Sequence, residues 1–263
     1  MFTTAIIPAA GSGRRFGEKK QFKVINGEPL IFHTLKPFVE SKVIDEIIIA
    51  SSDESIDQVN KILISLNSQK NIKVVTGSSS RQGSVKNAID SMSEKTELIC
   101  IHDAVRPFVT KKLIKKIITN LNDNDALVVA KRSTDTLKLI ADSVIKKTIN
   151  REEVWSVQTP QVFKRKALMN AYSKALKENF TGTDDATLVE KAGYKVKILE
   201  DISINIKITN KEDFQNELVR NILSVNGVEI NSSERNSKAF SESCISFLLM
   251  SSFDSLMINS SKS

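Results

Sequence analysis

Short apolar runs and helical stripes take turns along this chain. Ala5-Ile6-Ile7 is the first run. Glu46-Ile47-Ile48-Ile49-Ala50, Ile72-Lys73-Val74-Val75, Leu98-Ile99-Cys100-Ile101 and Ala126-Leu127-Val128-Val129-Ala130 follow. Several are apolar on successive residues, as expected of strands covered on both faces. Between them, apolar residues recur at helical spacing: Ile56, Val59, Ile62, Leu63 and Leu66, then Leu113, Ile114, Ile117, Ile118 and Leu121 with lysines opposite. Strand–helix–strand repetition predicts an α/β domain built on a doubly wound, mostly parallel sheet.

The alternation breaks after Ala130. Thr136 to Ile140 and Val144 to Ile149 each alternate polar and apolar positions, with Ala141-Asp142-Ser143 between them, which predicts a hairpin. Two strands alone cannot bury both faces, so this arm, about 133–152, is expected to lean on something such as a second subunit. Helical spacing returns from Ala167 to Leu176 and from Ala186 to Ala192, with Gly193 as a stop. Tyr194–Leu199 and Ile204–Ile208 read as strands and Asp213–Leu223 as a last helix. The composition turns to Ser and Asn from Ser224, so we expect a domain over 1–223 and a disordered or loosely docked extension over 224–263.

Charge narrows the function classes. The chain carries 38 Lys+Arg against 31 Asp+Glu, a net +7, which favours anionic ligands such as nucleotides and phosphorylated metabolites. The lysines are scattered and aromatic residues make up only 6%, so much of this charge reads as a solvated surface and nucleic acid is not the expected partner. The two cysteines, Cys100 and Cys244, have no metal-ligand spacing and fit a reducing, cytoplasmic setting. No apolar run approaches the roughly 18–20 residues of a membrane span, and no charged segment leads into an apolar one at the start, so a soluble protein without a signal peptide is expected.

The candidate chemistry sits at the ends of the predicted strands. Pro8-Ala9-Ala10-Gly11-Ser12-Gly13-Arg14-Arg15-Phe16 follows the first strand, and Lys19 and Lys20 come soon after. Small residues let backbone N–H groups approach a phosphate chain, although such a turn also serves merely to join a strand to a helix. Phe16 stands where a dinucleotide fingerprint needs Gly or Ala, and the Gly-Lys-Ser/Thr of a P-loop is absent. Gly77 to Val85, with Ser79, Arg81 and Ser84, opens a helix after the third strand, Ser84 being a reasonable capping residue. His102-Asp103-Ala104-Val105-Arg106-Pro107-Phe108 ends the fourth. There Asp103 could accept from hydroxyls or help hold Mg²⁺, and Arg106 could bind anionic oxygens; the alternative is an internal Asp103–Arg106 ion pair. His102 reads as structural. Asp135-Thr136 and Asn150-Arg151 bracket the hairpin as turn residues and a surface arginine.

Ala9-Ala10-Gly11-Ser12-Gly13-Arg14-Arg15-Phe16 followed by Lys20-Gln21-Phe22 resembles the signature loop of the sugar-phosphate nucleotidyltransferases, and most closely the 2-C-methyl-D-erythritol 4-phosphate cytidylyltransferase (IspD) family. Gln158-Thr159-Pro160-Gln161-Val162-Phe163, Thr183-Asp184-Asp185-Ala186 and Asn205-Ile206-Lys207-Ile208-Thr209 extend the resemblance collinearly from about Ala5 to about Phe214. The family has Pro-Lys-Gln where this chain has Lys19-Lys20-Gln21, losing a rigid φ and gaining a charge. The resemblance implies a Rossmann-like nucleotidyltransferase fold and transfer of CMP from CTP to a sugar-alcohol phosphate, a step of isoprenoid precursor synthesis. It implies Arg15 and Lys20 as catalytic residues and Mg²⁺ as cofactor. It implies nucleotide contacts from Pro8, Ala9, Ala10, Gly11, Gly13, Ser79, Arg81, Ser84 and Ala104. Asp103, Arg106, Asp135, Thr136, Arg151 and Lys207 would position the acceptor, with the arm reaching into a neighbouring subunit of a homodimer. Ribitol 5-phosphate cytidylyltransferases share several of these motifs, but Thr183–Ala186 and the Arg151-to-Gln158 spacing favour the methylerythritol family. A regulator that binds nucleotide without catalysis would have little use for both Arg15 and Lys20.

Overall fold

A computed structural model of the chain describes residues 1–13 and 16–215. The first strand, β1 (Thr3–Pro8), runs into the glycine loop. After a short 3-10 turn (Lys20–Phe22), β2 (Val24–Ile25) and β3 (Glu28–Pro29) make a two-stranded hairpin closed by Asn26 and Gly27, both at positive φ. This turn went unpredicted although Asn-Gly is the strongest short hairpin signal. Then come α1 (Leu30–Glu40), β4 (Glu46–Ser51), α2 (Ile56–Ser65), β5 (Asn71–Thr76), α3 (Arg81–Ser91), β6 (Leu98–Ile101), α4 (Lys111–Thr119) and β7 (Ala126–Arg132). The arm is β8 (Lys138–Ala141) and β9 (Val144–Thr148), and β10 (Trp155–Lys164), α5 (Arg165–Lys177), α6 (Asp185–Lys191), β11 (Val196–Glu200) and α7 (Lys211–Gln215) complete the order.

Among the described residues seven strands form the main sheet, in the order β11-β7-β10-β6-β1-β4-β5. The predicted parallel sheet is present, with β1 parallel to β4 and β6, β4 to β5, and β7 to β11. The strand β10 was not foreseen. It lies antiparallel between β6 and β7, with its register broken between Val157 and Gln161. The continuous apolar runs have the expected cause. Ala5, Ile7, Ile47, Ile49 and Cys100 face a core layer shared with α1, α2 and α4, whereas Ile6, Ile48, Ala50, Ile99 and Ile101 face one shared with α3, α5 and α6.

Local rules place most helix ends. Thr110 caps α4 by accepting from the Leu113 N–H, Asp184 caps α6 through Thr187, and Gly193 stands just past α6 at φ +93°. Two expectations are corrected. Ser80, not Ser84, caps α3, accepting from the Gly83 N–H; Ser84 lies buried in the helix's first turn. Residues 204–208 form no strand, because their backbone and side chains are pinned across the ends of other elements instead of joining a ladder. The last helix is described as α7, and the rest of its expected span, like the extension 224–263, lies outside the described residues.

Candidate active site

The carboxyl ends of β1, β4, β5 and β6 share one edge of the sheet, and from β1 the chain extends to β4 and β5 on one side and to β6 on the other. Ligands of open α/β sheets bind outside such a switch point. The glycine loop is fixed there from several directions. The Ala9 N–H donates to Ala50 O at 2.7 Å, and the buried Gln21 amide donates to Ala9 O and Gly11 O at 2.9 and 3.0 Å. Gly13 holds φ +71°, and a Cβ there would stand 1.7 Å from Glu18 O, so only glycine closes the turn. Phe16 is buried, its N–H donating to Gly13 O, and its ring meets Phe214 edge-on at 5.9 Å. Gly77 completes the neighbourhood. A Cβ on it would lie 2.4 Å from the Ala10 side chain and 3.1 Å from Ser84 Oγ, so its lack of a side chain lets the loops after β1 and β5 meet.

Beside these loops stands a cluster of charges centred on Asp103. Its carboxylate receives Arg81 Nε at 3.1 Å, Arg106 Nε at 3.4 Å and Lys207 Nζ at 2.9 Å. Burial opposes its ionisation, but Arg81, Lys207 and Arg106 together hold it well below the usual carboxylate range. Burial drives the Arg81 guanidinium down, yet Asp185 and Asp103 more than offset it and raise its pKa. His102, fully buried beneath, is pushed down to about 4 by burial. Arg106 O can only accept, so His102 Nε2 carries the proton and donates to it at 3.1 Å; with the ring's pKa pushed down, Nδ1 accepts from the Thr159 hydroxyl at 3.0 Å, whose oxygen also accepts from the Asp103 N–H. The imidazole is therefore neutral and structural, as its sequence suggested.

Residues 205–209 close the cluster from above. Arg106 Nη1 donates to Asn205 O at 2.8 Å, the Asn205 amide to Thr159 O at 2.7 Å, and the Ile208 N–H to Val105 O at 2.9 Å. Lys20 donates to Thr209 O at 3.1 Å, two residues from Lys207. Thus the structure brings Lys20, Arg81, Asp103, Arg106 and Lys207 to one edge, with Pro8, Ala9, Ala10, Gly11, Gly13, Ser84 and the buried Ala104 around them. Ser79 is exposed on the loop before α3, and the Ser84 hydroxyl is engaged within that loop, accepting from the Ser78 N–H at 2.9 Å and donating to Ser80 O at 2.9 Å. Arg15 lies outside the described residues.

The arm residues do not join this cluster. Asp135 and Thr136 are exposed at its base, and Arg151 donates to Thr134 O at 3.1 Å and stands 3.8 Å from Glu152. Asp103, considered above as a ligand for a metal ion, pairs both its oxygens with cations. Among the described residues no group of three or more His, Cys, Asp or Glu side chains could hold a metal ion. Lys19 resolves the motif's departure. Its φ of −70° is one proline would hold, and its ammonium turns away to Ser52, Ser55 and Glu54, the last at 2.8 Å. Sequence reasoning gave no role to Gln21, Thr159 and Asp185. All three are polar residues inside the quoted motifs, which was the available signal.

A glycine loop after the first strand, with a cation-rich cluster at the same sheet edge, defines a nucleotidyltransferase-like α/β protein. The family model described as 2-C-methyl-D-erythritol 4-phosphate cytidylyltransferase matches residues 3–220, and the chain belongs to that family. The Alkaliphilus metalliredigens enzyme of that name is 40% identical over 80% of this chain and 89% of its own, and the Aquifex aeolicus enzyme 38% identical over 84% and 97%. Among solved structures, 4-diphosphocytidyl-2C-methyl-D-erythritol synthase from Anaerococcus prevotii superposes with a TM-score of 0.74 at 36% identity, covering 83% of this chain and 98% of that one. The Thermus thermophilus 2-C-methyl-D-erythritol 4-phosphate cytidylyltransferase gives 0.70 at 27% identity, covering 85% and 99%. Among the described residues no helix is long and apolar enough to cross a membrane.

Proposed function

We propose that this chain transfers CMP from CTP to 2-C-methyl-D-erythritol 4-phosphate and releases pyrophosphate, in the cytoplasm and as a step towards isoprenoid precursors. The observation that carries this reading is the convergence of the glycine loop, Lys20 and the Asp103–Lys207 cluster on one strand-end edge.

The reaction is an attack by an acceptor phosphate oxygen on the α-phosphorus of CTP, in line with the departing pyrophosphate. Both reactants are anions, so fixed positive charge and positioning are what the site must supply. No strong base is required, since the acceptor phosphate is already ionised. The open backbone of Ala9 to Gly13 receives the triphosphate, and the loop after β5 receives the base. Arg15 and Lys20 stabilise the charge that grows on the α-phosphoryl group and the leaving oxygens. Lys207 receives the acceptor phosphate, and Asp103 and Arg106 orient its hydroxyls. Asp135, Thr136 and Arg151 come from the arm of a second subunit, which would also cover the arm's exposed apolar side chains. Mg²⁺ would enter with the nucleotide, held by phosphate oxygens and water, and screen the triphosphate charge.

Pyrophosphate release with CTP and Mg²⁺, measured against 2-C-methyl-D-erythritol 4-phosphate and ribitol 5-phosphate, tests this. Turnover with the first alone is expected. Turnover with ribitol 5-phosphate alone would move the substrate assignment, and none with either would refute the transferase.

A further inference from the structure

The run Thr183–Asp185 has a place in the fold but no part in the chemistry above. Asp185, almost fully buried, divides its carboxylate between two elements: Oδ1 accepts from the Tyr172 hydroxyl on α5 at 2.6 Å, and Oδ2 from Arg81 Nη1 at 2.7 Å. The same guanidinium reaches Asp103 through Nε, and Asp103 in turn holds Lys207. One continuous line of contacts therefore runs from Tyr172 through Asp185, Arg81 and Asp103 to Lys207.

The far end of this line is rigidly mounted. Gln161 of β10 donates to Asp184 Oδ2 at 2.7 Å and accepts from the Ala186 N–H at 3.2 Å. Gln82, next to Arg81, donates to Phe180 O and accepts from the Gly182 N–H, both at 3.1 Å. A guanidinium between two buried carboxylates rests where their attractions balance, and removing one charge sends it to the other.

We propose that Asp185, braced by Tyr172, is a positioning residue for the transfer: it holds Arg81 partly off Asp103 and so keeps an Asp103 oxygen for Lys207, fixing the ammonium where the acceptor phosphate arrives. This rests on the role given to Lys207 under the proposed function. In Asp185→Asn the amide fills the same space without the charge. Arg81 then turns both nitrogens towards Asp103 and displaces Lys207.

The test is two-substrate kinetics by pyrophosphate release, with thermal unfolding measured in parallel. Asp185→Asn is expected to raise KM for the acceptor alcohol phosphate on the order of tenfold, with a smaller change in KM for CTP. In a Lys207→Ala background the same substitution adds nothing to the acceptor KM, because the group it positions is gone. An unchanged acceptor KM, or an equal factor in both backgrounds as a purely structural role would give, overturns the proposal. If Asp185→Asn does not fold, Tyr172→Phe keeps the carboxylate and carries the same two-background comparison, with a smaller rise expected and no rise overturning. A wild-type protein silent with CTP and either alcohol phosphate removes the functional reading and the proposal with it. An active wild type with unmoved variants removes the proposal alone.

Discussion

The Asp103 cluster and the hairpin arm both carry residues expected at the substrate, yet they are built in opposite ways. Asp103 and Arg106 are buried, and their partners come from the start of α3, the end of β6, β10 and residues 205–209. Every residue of β8 and β9 is exposed, and Leu139, Ile140, Val144 and Ile145 each show 55–59% of their surface to solvent. The cluster is complete within one chain and is preorganised before any ligand arrives. Among the described residues the arm has only its own two strands, so what Arg151 can contribute depends on what the arm rests against. Charge placement is thus a property of the fold on one side and, on the proposed reading, of assembly on the other.

The largest effect should come from the cluster side. Lys20→Ala is expected to lower kcat by on the order of 10²–10³ with the melting temperature retained, since it removes one fixed cation from the developing charge. Near-normal pyrophosphate release in that variant would show that the convergence of Lys20 on residues 207–209 has no catalytic use. Arg151→Ala comes next. It should raise the acceptor KM by about 10–100-fold and leave KM for CTP nearly unchanged. If the arm serves a neighbouring subunit, mixing Lys20→Ala and Arg151→Ala chains under subunit exchange restores part of the activity. A mixture as inactive as its parents would return Arg151 to its own chain's site and dissolve the contrast between the two regions.

A smaller effect separates the regions by pH. Buried His102 titrates near 4 in the fold against about 6.5 in the unfolded chain, because burial disfavours its charged form. The unfolded state therefore binds the extra proton first, and the stability from neutral His102 is complete above pH 6.5 and declines as pH falls towards 4. The loss amounts to about 3 kcal/mol. His33, also lowered by burial, acts in the same sense. Depressed Asp103 and Glu46 add their own loss only below the ordinary carboxylate range, since their charged forms are favoured in the fold. Urea unfolding from pH 7.5 to 4 should show this slope, with the His102 ring neutral by NMR at pH 5. A protonated ring at that pH would mean the floor of the cluster is wet.

Much of this was readable because it is local. Continuous apolar runs announced covered strands, and Gly193 marked the end of α6. What failed was set by distant partners. Gln158 to Phe163 has no clean period and contains Pro160, so nothing within it indicates that β10 inserts antiparallel between two strands far away in sequence. Ile204, Ile206 and Ile208 alternate like a strand, but bonds to Val105, Arg106 and Thr159 fix that segment without a ladder. Ser84 read as the cap of α3, but the helix starts at Arg81 and takes Ser80 instead. At the site, the quoted motifs held Lys20, Arg81, Asp103, Arg106 and Lys207, which the structure brings to one edge. They could not show that Arg81 is shared with Asp185, because residues 104 positions apart meet only where the tertiary fold brings the starts of α3 and α6 together.

The smallest expected effect bears on the boundary of the cluster. Lys19 replaces the proline of the family motif, and its side chain lies with Ser52, Glu54 and Ser55, beyond the end of β4. Because its φ is already −70°, Lys19→Pro should need no new backbone path. The ring would add about 0.4–1 kcal/mol by restricting the unfolded chain. Losing the partly exposed ion pair with Glu54 would take away about 0–1 kcal/mol. The two nearly cancel, so the melting temperature should shift by no more than about 4 °C, and KM for CTP should not move, since the Lys19 charge is neutralised away from the loop. A raised KM for CTP would instead place Lys19 among the cations that meet the nucleotide, and would widen the preorganised region at the expense of the contrast drawn with the arm.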